Sequence, residues 1–112
     1  YPLDFMEKIQ RAAAVRGPSY IHCHAPCPTG WGVDSANMIE VSRLAVQTGC
    51  VLLHEVIDGK RKLSKRFGKR KPVQEYLVHQ GRFRHLMGDP AAVAAIQRGV
   101  DERYEAVSQM MA

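Results

Sequence analysis

The chain has 112 residues, enough for one small domain, and 46% of them are hydrophobic, which is ordinary for a globular protein. It contains no apolar run of about 18 residues and no charged-then-apolar segment at its start, so neither a membrane span nor a signal peptide is predicted. Three cysteines without paired spacing argue against a secreted disulfide scaffold and favour a reducing compartment, so we expect a cytoplasmic protein.

The net charge of +5 comes from one part of the chain. Eight of the 16 Lys and Arg residues lie between Lys60 and Lys71, where there is no Asp or Glu, and we call this stretch the basic segment. The other 100 residues carry 8 basic and 11 acidic side chains, a balance of −3. Within it, residues 65–71 are predicted to be a solvated loop, a docking surface for an acidic protein or for phosphate groups, or a nucleic-acid-binding patch.

The first half of the chain is predicted to alternate helix, strand and helix. Residues 2–16 have apolar side chains at helical spacing, and a Gly-Pro pair follows them. Residues 19–25 begin with two β-formers and lie between Gly-Pro and Pro-Cys-Pro, which predicts a strand. Residues 36–48 are predicted as a second helix, with an N-cap at Asp34 and Gly49 just beyond its end. This order is typical of an α/β fold.

The second half is predicted to begin with a β-hairpin. Residues 50–57 and 60–64 are the expected strands, because Asp58-Gly59 between them is a strong signal for a type I′ turn. A short helix is predicted over residues 72–79, since proline favours the first helical position. Residues 81–86 are predicted to be irregular, with basic side chains that bind an anion or anchor the surface around a buried phenylalanine.

The last predicted helix covers residues 91–110 and begins after Asp89-Pro90, an N-cap followed by proline. Its apolar residues recur every three or four positions: Val93, Ile96, Val100, Tyr104, Val107 and Met111. Such a stripe is typical of a core or a subunit contact. We therefore divide the chain into residues 1–88 and an assembly helix in residues 89–112.

Cys27 is the residue whose setting is most unusual. Pro26 and Pro28 bracket it, and Thr-Gly-Trp-Gly then turns the chain. Because a proline moves the preceding residue out of the helical region, Cys27 is predicted to have an extended and largely fixed backbone. Its place between a strand and a helix is where open α/β sheets hold ligands. The thiol is therefore either a fixed ligand or reactive group, or an inert packed side chain.

A metal site formed by His22, Cys23, His24 and Cys27 is disfavoured by geometry. Strands rise roughly 3.3 Å per residue, so Cys23 and Cys27 would lie about 13 Å apart on extended chain, whereas a zinc–sulfur bond is about 2.3 Å. A cluster with only cysteine ligands needs four thiolates, and the chain has three cysteines. If Cys27 binds metal, its co-ligands must come from elsewhere.

At this point the sequence resembles a known family. Residues 25–31 read Ala-Pro-Cys-Pro-Thr-Gly-Trp and follow Gly-Pro-Ser-Tyr-Ile-His. This motif resembles the C-terminal part of the thiamine-diphosphate-binding β subunit of 2-oxoacid:ferredoxin oxidoreductases, the pyruvate synthase type above all. The resemblance continues in residues 1–5, 40–49, 71–77 and 80–86, so it reaches across roughly the first 86 residues.

The resemblance implies a fold, a chemistry and a set of partners. The fold would be the C-terminal portion of a thiamine-diphosphate-binding α/β domain, with a strand-loop-helix unit, a β-hairpin and C-terminal helices. Cys27 would be the fourth ligand of the [4Fe–4S] cluster nearest the thiamine, with Thr29 and Gly30 near that cofactor or the cluster. The other ligands and the diphosphate and Mg²⁺ motif would lie in a part of the subunit that is absent here. Cys23 and Cys50 match no motif and are assigned to packing.

The implied reaction is the oxidative decarboxylation of a 2-oxoacid, pyruvate most of all, to acyl-coenzyme A and CO₂ with reduction of ferredoxin. Partners would be the rest of the enzyme, ferredoxin and coenzyme A. The alternative is a nucleic-acid-binding module that uses the basic segment, although Phe67 is its only aromatic residue. A small zinc protein using Cys23, Cys27 and a histidine is a third and weaker reading.

Overall fold

A computed structural model describes residues 1–110 as a mixture of helices and one small antiparallel sheet. The helices are α1 (Pro2–Ala14), α2 (Pro28–Trp31), α3 (Met38–Gln47), α4 (Val73–Leu77) and α5 (Pro90–Gln109), with 3₁₀ turns at Ser35–Asn37 and Gly81–Leu86. The strands are β1 (His54–Ile57) and β2 (Lys60–Leu63). Met111 of the predicted apolar stripe lies outside the described residues. No helix within residues 1–110 is both long and apolar enough to cross a bilayer.

Local sequence signals account for the ends of the longer helices. Asp34 accepts the backbone N–H of Ala36 at 2.9 Å and so caps the 3₁₀ turn that leads into α3. Gly49 follows α3 with a φ of 84°, which glycine adopts without the steric cost of a Cβ. Asp89 accepts the backbone N–H of Ala92 at 3.1 Å at the start of α5. These caps, like the helices themselves, are confirmed.

The hairpin is also confirmed, with shorter strands than predicted. Asp58 and Gly59 have φ values of 49° and 75°, both positive as a type I′ turn requires. The register pairs His54 with Leu63 at one end and Ile57 with Lys60 at the turn. Residues 50–53 precede the paired region and are not part of the sheet.

The strand predicted over residues 19–25 is wrong for the described chain. These residues have no regular secondary structure, and Tyr20 leaves 87% of its surface exposed. A strand must pair its N–H and C=O groups with a neighbouring strand, and β1 and β2 bond only to each other within residues 1–110. Residues 81–86, predicted to be irregular, form a 3₁₀ turn instead.

The hydrophobic core lies where α3, α4 and α5 meet. Its buried side chains from these helices are Val41, Leu44, Ala45, Val73, Tyr76, Leu77 and Val100. Val33 joins the same core from the loop after α2, so the segment that carries α2 is attached to the core. In contrast, α1 buries no side chain, and a 2.8 Å ion pair between Arg11 and Glu55 joins it to β1.

Arg70, from the basic segment, is part of this framework. Its guanidinium donates to the Thr48 carbonyl at 3.2 Å and to the Asp101 carboxylate at 2.5 Å. The same group lies 4.4 Å from the centre of the Tyr104 ring. A Cβ on Gly49 would stand 2.9 Å from the Arg70 Nη1 atom, so glycine makes room for this contact. Arg70 thereby joins the end of α3 to α5.

We expect Arg70→Met to lower the free energy of unfolding by about 1–2 kcal/mol, because it leaves a carbonyl and a half-buried carboxylate without their charged donor. Denaturant unfolding monitored by the fluorescence of Trp31 measures this loss. Lys69→Met is the matched control, since Lys69 is exposed and precedes Arg70 directly. Equal losses in the two variants would contradict the structural role of Arg70.

Candidate functional site

Cys27 begins a tight turn, residues 27–32, which contains α2 and which we call the Cys27 turn. Its φ of −112° and ψ of 108° confirm the extended backbone that the flanking prolines predict. The thiol sulfur accepts the backbone N–H of Gly30 at 3.2 Å, and the Cys27 carbonyl accepts that of Trp31 at 2.9 Å. The side chain is exposed. Within residues 1–110 the thiol is therefore not packed, and its role stays a prediction.

Gly30 lets the turn close around the sulfur. A Cβ at this position would stand 3.1 Å from the Cys27 sulfur, tighter than nearly all real contacts. Thr29, also exposed, precedes it in the same helical turn. The turn thus brings Cys27, Thr29 and Gly30 together. Their contact with a cofactor stays a prediction.

The last residue of the Cys27 turn, Gly32, contacts the start of the 3₁₀ turn at Gly81–Leu86. Gly32 has a φ of 66°, and its carbonyl accepts the Gly81 N–H at 2.9 Å. A Cβ on Gly32 would lie 3.0 Å from the Gly81 Cα, so the two backbones meet where neither has a side chain. This contact holds the Cys27 turn to the α4 side of the core.

Arg82 adds a side-chain contact at the same junction. The centre of its guanidinium lies 3.8 Å from the centre of the Trp31 ring and 4.6 Å from that of Phe83. Its Nε atom donates at 2.8 Å to Gln80, whose side chain is 1% exposed. The sequence suggested an anion site or a surface anchor around Phe83. The stack on Trp31 went unpredicted, because no sequence pattern links residues 51 positions apart.

Residues 19–25, which lead to Pro26 and Cys27, are all exposed, and we call them the exposed segment. The His24 ring is 5.5 Å from the Trp31 ring, and partial burial together with the positive charge of Arg82 lowers the pKa of His24. Cys23 is exposed, so the packing role predicted for it is wrong. Cys50 is half-buried, and burial raises the pKa of its thiol, which keeps it neutral and agrees with packing.

Cys27 is suited to be one corner of a shared metal centre. Within residues 1–110, no three His, Cys, Asp or Glu side chains are grouped so as to hold a metal ion. Cys27 nevertheless has the properties of a cluster ligand: an exposed sulfur on a fixed backbone that accepts an N–H bond, as cluster sulfurs do. Further ligands would have to come from beyond these residues.

The structure divides the basic segment into two groups. Arg70 pairs with Asp101, and Lys71 lies 3.8 Å from Glu75. The other six cations are exposed and form no salt bridge with a carboxylate of residues 1–110: Lys60, Arg61, Lys62, Lys65, Arg66 and Lys69. Lys65 lies 5.2 Å from the centre of the Tyr1 ring, and Arg66 donates to the Ser108 carbonyl at 3.4 Å. We call these six the free cations in the sense that no carboxylate of residues 1–110 pairs with them. They lie along β2 and the connection that follows it.

Comparison with known proteins finds relatives over most of the chain. The pyruvate synthase subunits PorB of Methanothermobacter marburgensis and Methanothermobacter thermautotrophicus are 50% and 52% identical over 101 residues, which is 90% of this chain and 34% of each relative. A ketoisovalerate oxidoreductase subunit VorB of Pyrococcus horikoshii is 40% identical over 112 residues, covering 98% of this chain and 35% of that relative. No family profile matches the chain.

These relatives define the class: the chain is similar to part of subunits that are named as belonging to oxidoreductases or synthases. The chain belongs to the β-subunit family of 2-oxoacid:ferredoxin oxidoreductases, which includes pyruvate synthase PorB and ketoisovalerate oxidoreductase VorB, and it matches their C-terminal part. The resemblance seen in the motif around Cys27 is confirmed. The chain spans about a third of the length of these relatives.

Proposed function

We propose that this segment belongs to an enzyme that oxidatively decarboxylates a 2-oxoacid to acyl-coenzyme A and CO₂ and passes the electrons to ferredoxin. The relatives at 50% and 52% identity carry the proposal, because both are named as pyruvate synthase subunits. The names of these two relatives are also the reason for choosing pyruvate as the substrate. Two-thirds of such a subunit lies outside this chain, and further subunits would complete the enzyme.

The cofactors would be thiamine diphosphate with Mg²⁺ and a [4Fe–4S] cluster. Thiamine supplies an electron sink for the decarboxylation, and the cluster carries single electrons. Cys27 would hold one iron as a thiolate, while the Gly30 N–H that already bonds its sulfur would stabilise that charge. Thr29 and Gly30 would face the cofactor from the same turn. No catalytic side chain is proposed from this chain.

The exposed segment before Cys27 suits a place in a larger sheet. Residues 19–25 have free backbone groups and β-forming side chains, and Ile21 leaves 43% of its surface exposed. In the complete subunit they would pair with another strand of the thiamine-binding α/β domain. Residues 1–88 would form the C-terminal part of that domain. Residues 89–112 would add the assembly helix, and the enzyme would work in the cytoplasm.

Purification of the complete enzyme that contains this segment tests the proposal. We expect bound iron and thiamine diphosphate, and ferredoxin reduction that requires both coenzyme A and a 2-oxoacid, with pyruvate used faster than 2-oxoisovalerate. An enzyme without iron, or one that reduces ferredoxin with no 2-oxoacid, would overturn it. Faster turnover of 2-oxoisovalerate would overturn the choice of pyruvate alone.

The free cations support ferredoxin as the partner, since small acidic proteins are attracted by a positive surface over about a Debye length. We expect the double variant Lys60→Gln with Lys62→Gln to slow association of the complete enzyme with ferredoxin by about tenfold at low salt. Arg43→Gln with Arg98→Gln removes two exposed charges elsewhere and is the matched control. Stopped-flow rates at two salt concentrations check the effect.

The same pair of variants distinguishes the nucleic-acid alternative. A module of that kind would bind duplex DNA with an affinity that falls steeply with salt, and Lys60→Gln with Lys62→Gln would weaken it. Equal ferredoxin rates in both double variants would contradict docking at the free cations. If the Lys60 and Lys62 variant then bound DNA less tightly, the nucleic-acid role would replace docking for this surface.

A further inference from the structure

We propose that Arg82 is a positioning residue for the Cys27 turn and that its charge raises the reduction potential of the cluster that Cys27 would hold. The inference rests on the proposed function, since it needs a cluster at Cys27. It concerns a side chain that lies 55 positions further along the chain. Three observations support it. Gln80 and two aromatic rings hold the Arg82 side chain, its guanidinium contacts the Cys27 turn, and no carboxylate within residues 1–110 pairs with it.

The Arg82 side chain is held by the core. Gln80 is 1% exposed, and its amide nitrogen donates to the Tyr76 carbonyl at 2.9 Å. The amide oxygen of Gln80 is thereby oriented to accept from the Arg82 Nε at 2.8 Å. Phe83 lies 4.6 Å from the same guanidinium. A surface arginine normally samples many rotamers, but here Gln80 holds the Nε and two aromatic rings contact the guanidinium.

The fixed guanidinium is stacked on the turn that carries the candidate ligand. It lies 3.8 Å from the centre of the Trp31 ring, and the Trp31 N–H bonds the Cys27 carbonyl at 2.9 Å. One residue further on, Gly32 accepts the N–H of Gly81, the neighbour of Arg82. A side-chain contact and a backbone contact thus join the same two segments. Loss of the stack would leave the turn held by the backbone contact.

The charge of Arg82 is not neutralised within the described residues. Arg82 contacts the Gln80 amide oxygen, two aromatic rings and the Tyr76 side chain, and no carboxylate of residues 1–110 lies within ion-pair distance of it. The guanidinium lies against Trp31, whose ring is 5.5 Å from the His24 ring and whose backbone N–H bonds the Cys27 carbonyl. A [4Fe–4S] cluster gains an electron on reduction, so a fixed positive charge near it favours the reduced form.

Potentiometric titration of the cluster EPR signal in the complete enzyme tests the inference. We expect Arg82→Gln to keep its iron but to lower the equilibrium constant for reduction by about tenfold, which is 59 mV for one electron. Arg82→Lys keeps the charge, so its potential should stay near that of the unaltered enzyme. Arg84→Gln, which removes a nearby exposed charge, is the matched control and should not change the potential.

The outcomes separate the inference from the function on which it rests. A potential in Arg82→Gln equal to that of the unaltered enzyme would overturn the inference and leave the proposed function standing. An unaltered enzyme without a cluster would overturn both. If the Arg82→Gln enzyme loses its iron, the Arg82→Lys enzyme distinguishes the two roles. A cluster retained in Arg82→Lys at the original potential supports the inference. Loss of iron from Arg82→Lys as well overturns the electrostatic role.

Discussion

Replacement of Cys27 by alanine is expected to abolish the iron–sulfur cluster next to the thiamine in the complete enzyme. The sulfur is exposed at the start of α2, and no group of three or more His, Cys, Asp or Glu side chains within residues 1–110 is placed to bind a metal without it. Ferredoxin reduction should fall by more than the 10–100-fold typical of changes outside a metal's ligand shell. Iron analysis and the EPR spectrum of the reduced enzyme measure the loss.

Cys23→Ala is the control for that experiment. Cys23 is exposed on the same segment, four residues earlier, so the two variants differ in position and not in chemistry. We expect Cys23→Ala to keep its iron and its EPR signal. Unchanged iron in Cys27→Ala would remove Cys27 from the ligand set, and loss of the cluster in both variants would mean that the segment, rather than one thiolate, determines cluster binding.

The features that were predictable from sequence are those determined by neighbours along the chain. The Asp58-Gly59 turn, the cap at Asp89 and the glycine after α3 depend on local backbone preferences, and all appear as predicted. The extended backbone of Cys27 depends on the prolines next to it, Pro28 above all. The motif around Cys27 is likewise a run of consecutive residues, so it was sufficient to indicate the family.

The features that were not predictable depend on contacts between distant segments. Residues 19–25 have the composition of a strand, but a strand also needs a partner, and within residues 1–110 none pairs with them. The stack of Arg82 on Trp31 joins α2 to the 3₁₀ turn after α4, which the packing of Val33 in the core and the Gly32–Gly81 hydrogen bond bring together. Charge counting likewise could not separate Arg70, which holds the framework, from the exposed cations around it.

The junction of Gly32 and Gly81 is the place where a single methyl group should do the most damage to the site. We expect Gly32→Ala to lower the free energy of unfolding by about 2–4 kcal/mol. The left-handed φ of 66° costs an L-residue roughly 1–2 kcal/mol, and a Cβ only 3.0 Å from the Gly81 Cα adds a clash that costs about as much again. The clash is with backbone, so no rotamer change relieves it.

Thermal unfolding of the chain measures that loss, with Gly99→Ala as the matched control. Gly99 lies inside α5, where a Cβ would meet no atom within 4 Å, so alanine there should stabilise the helix by about 0.5–1 kcal/mol. The same glycine-to-alanine change is thus expected to lower the free energy of unfolding at Gly32 and to raise it at Gly99. If Gly32→Ala were neutral, the Cys27 turn would have room to move away from Gly81. The Arg82 stack would then be the main contact holding it, and Arg82→Gln should cost more stability than Gly32→Ala.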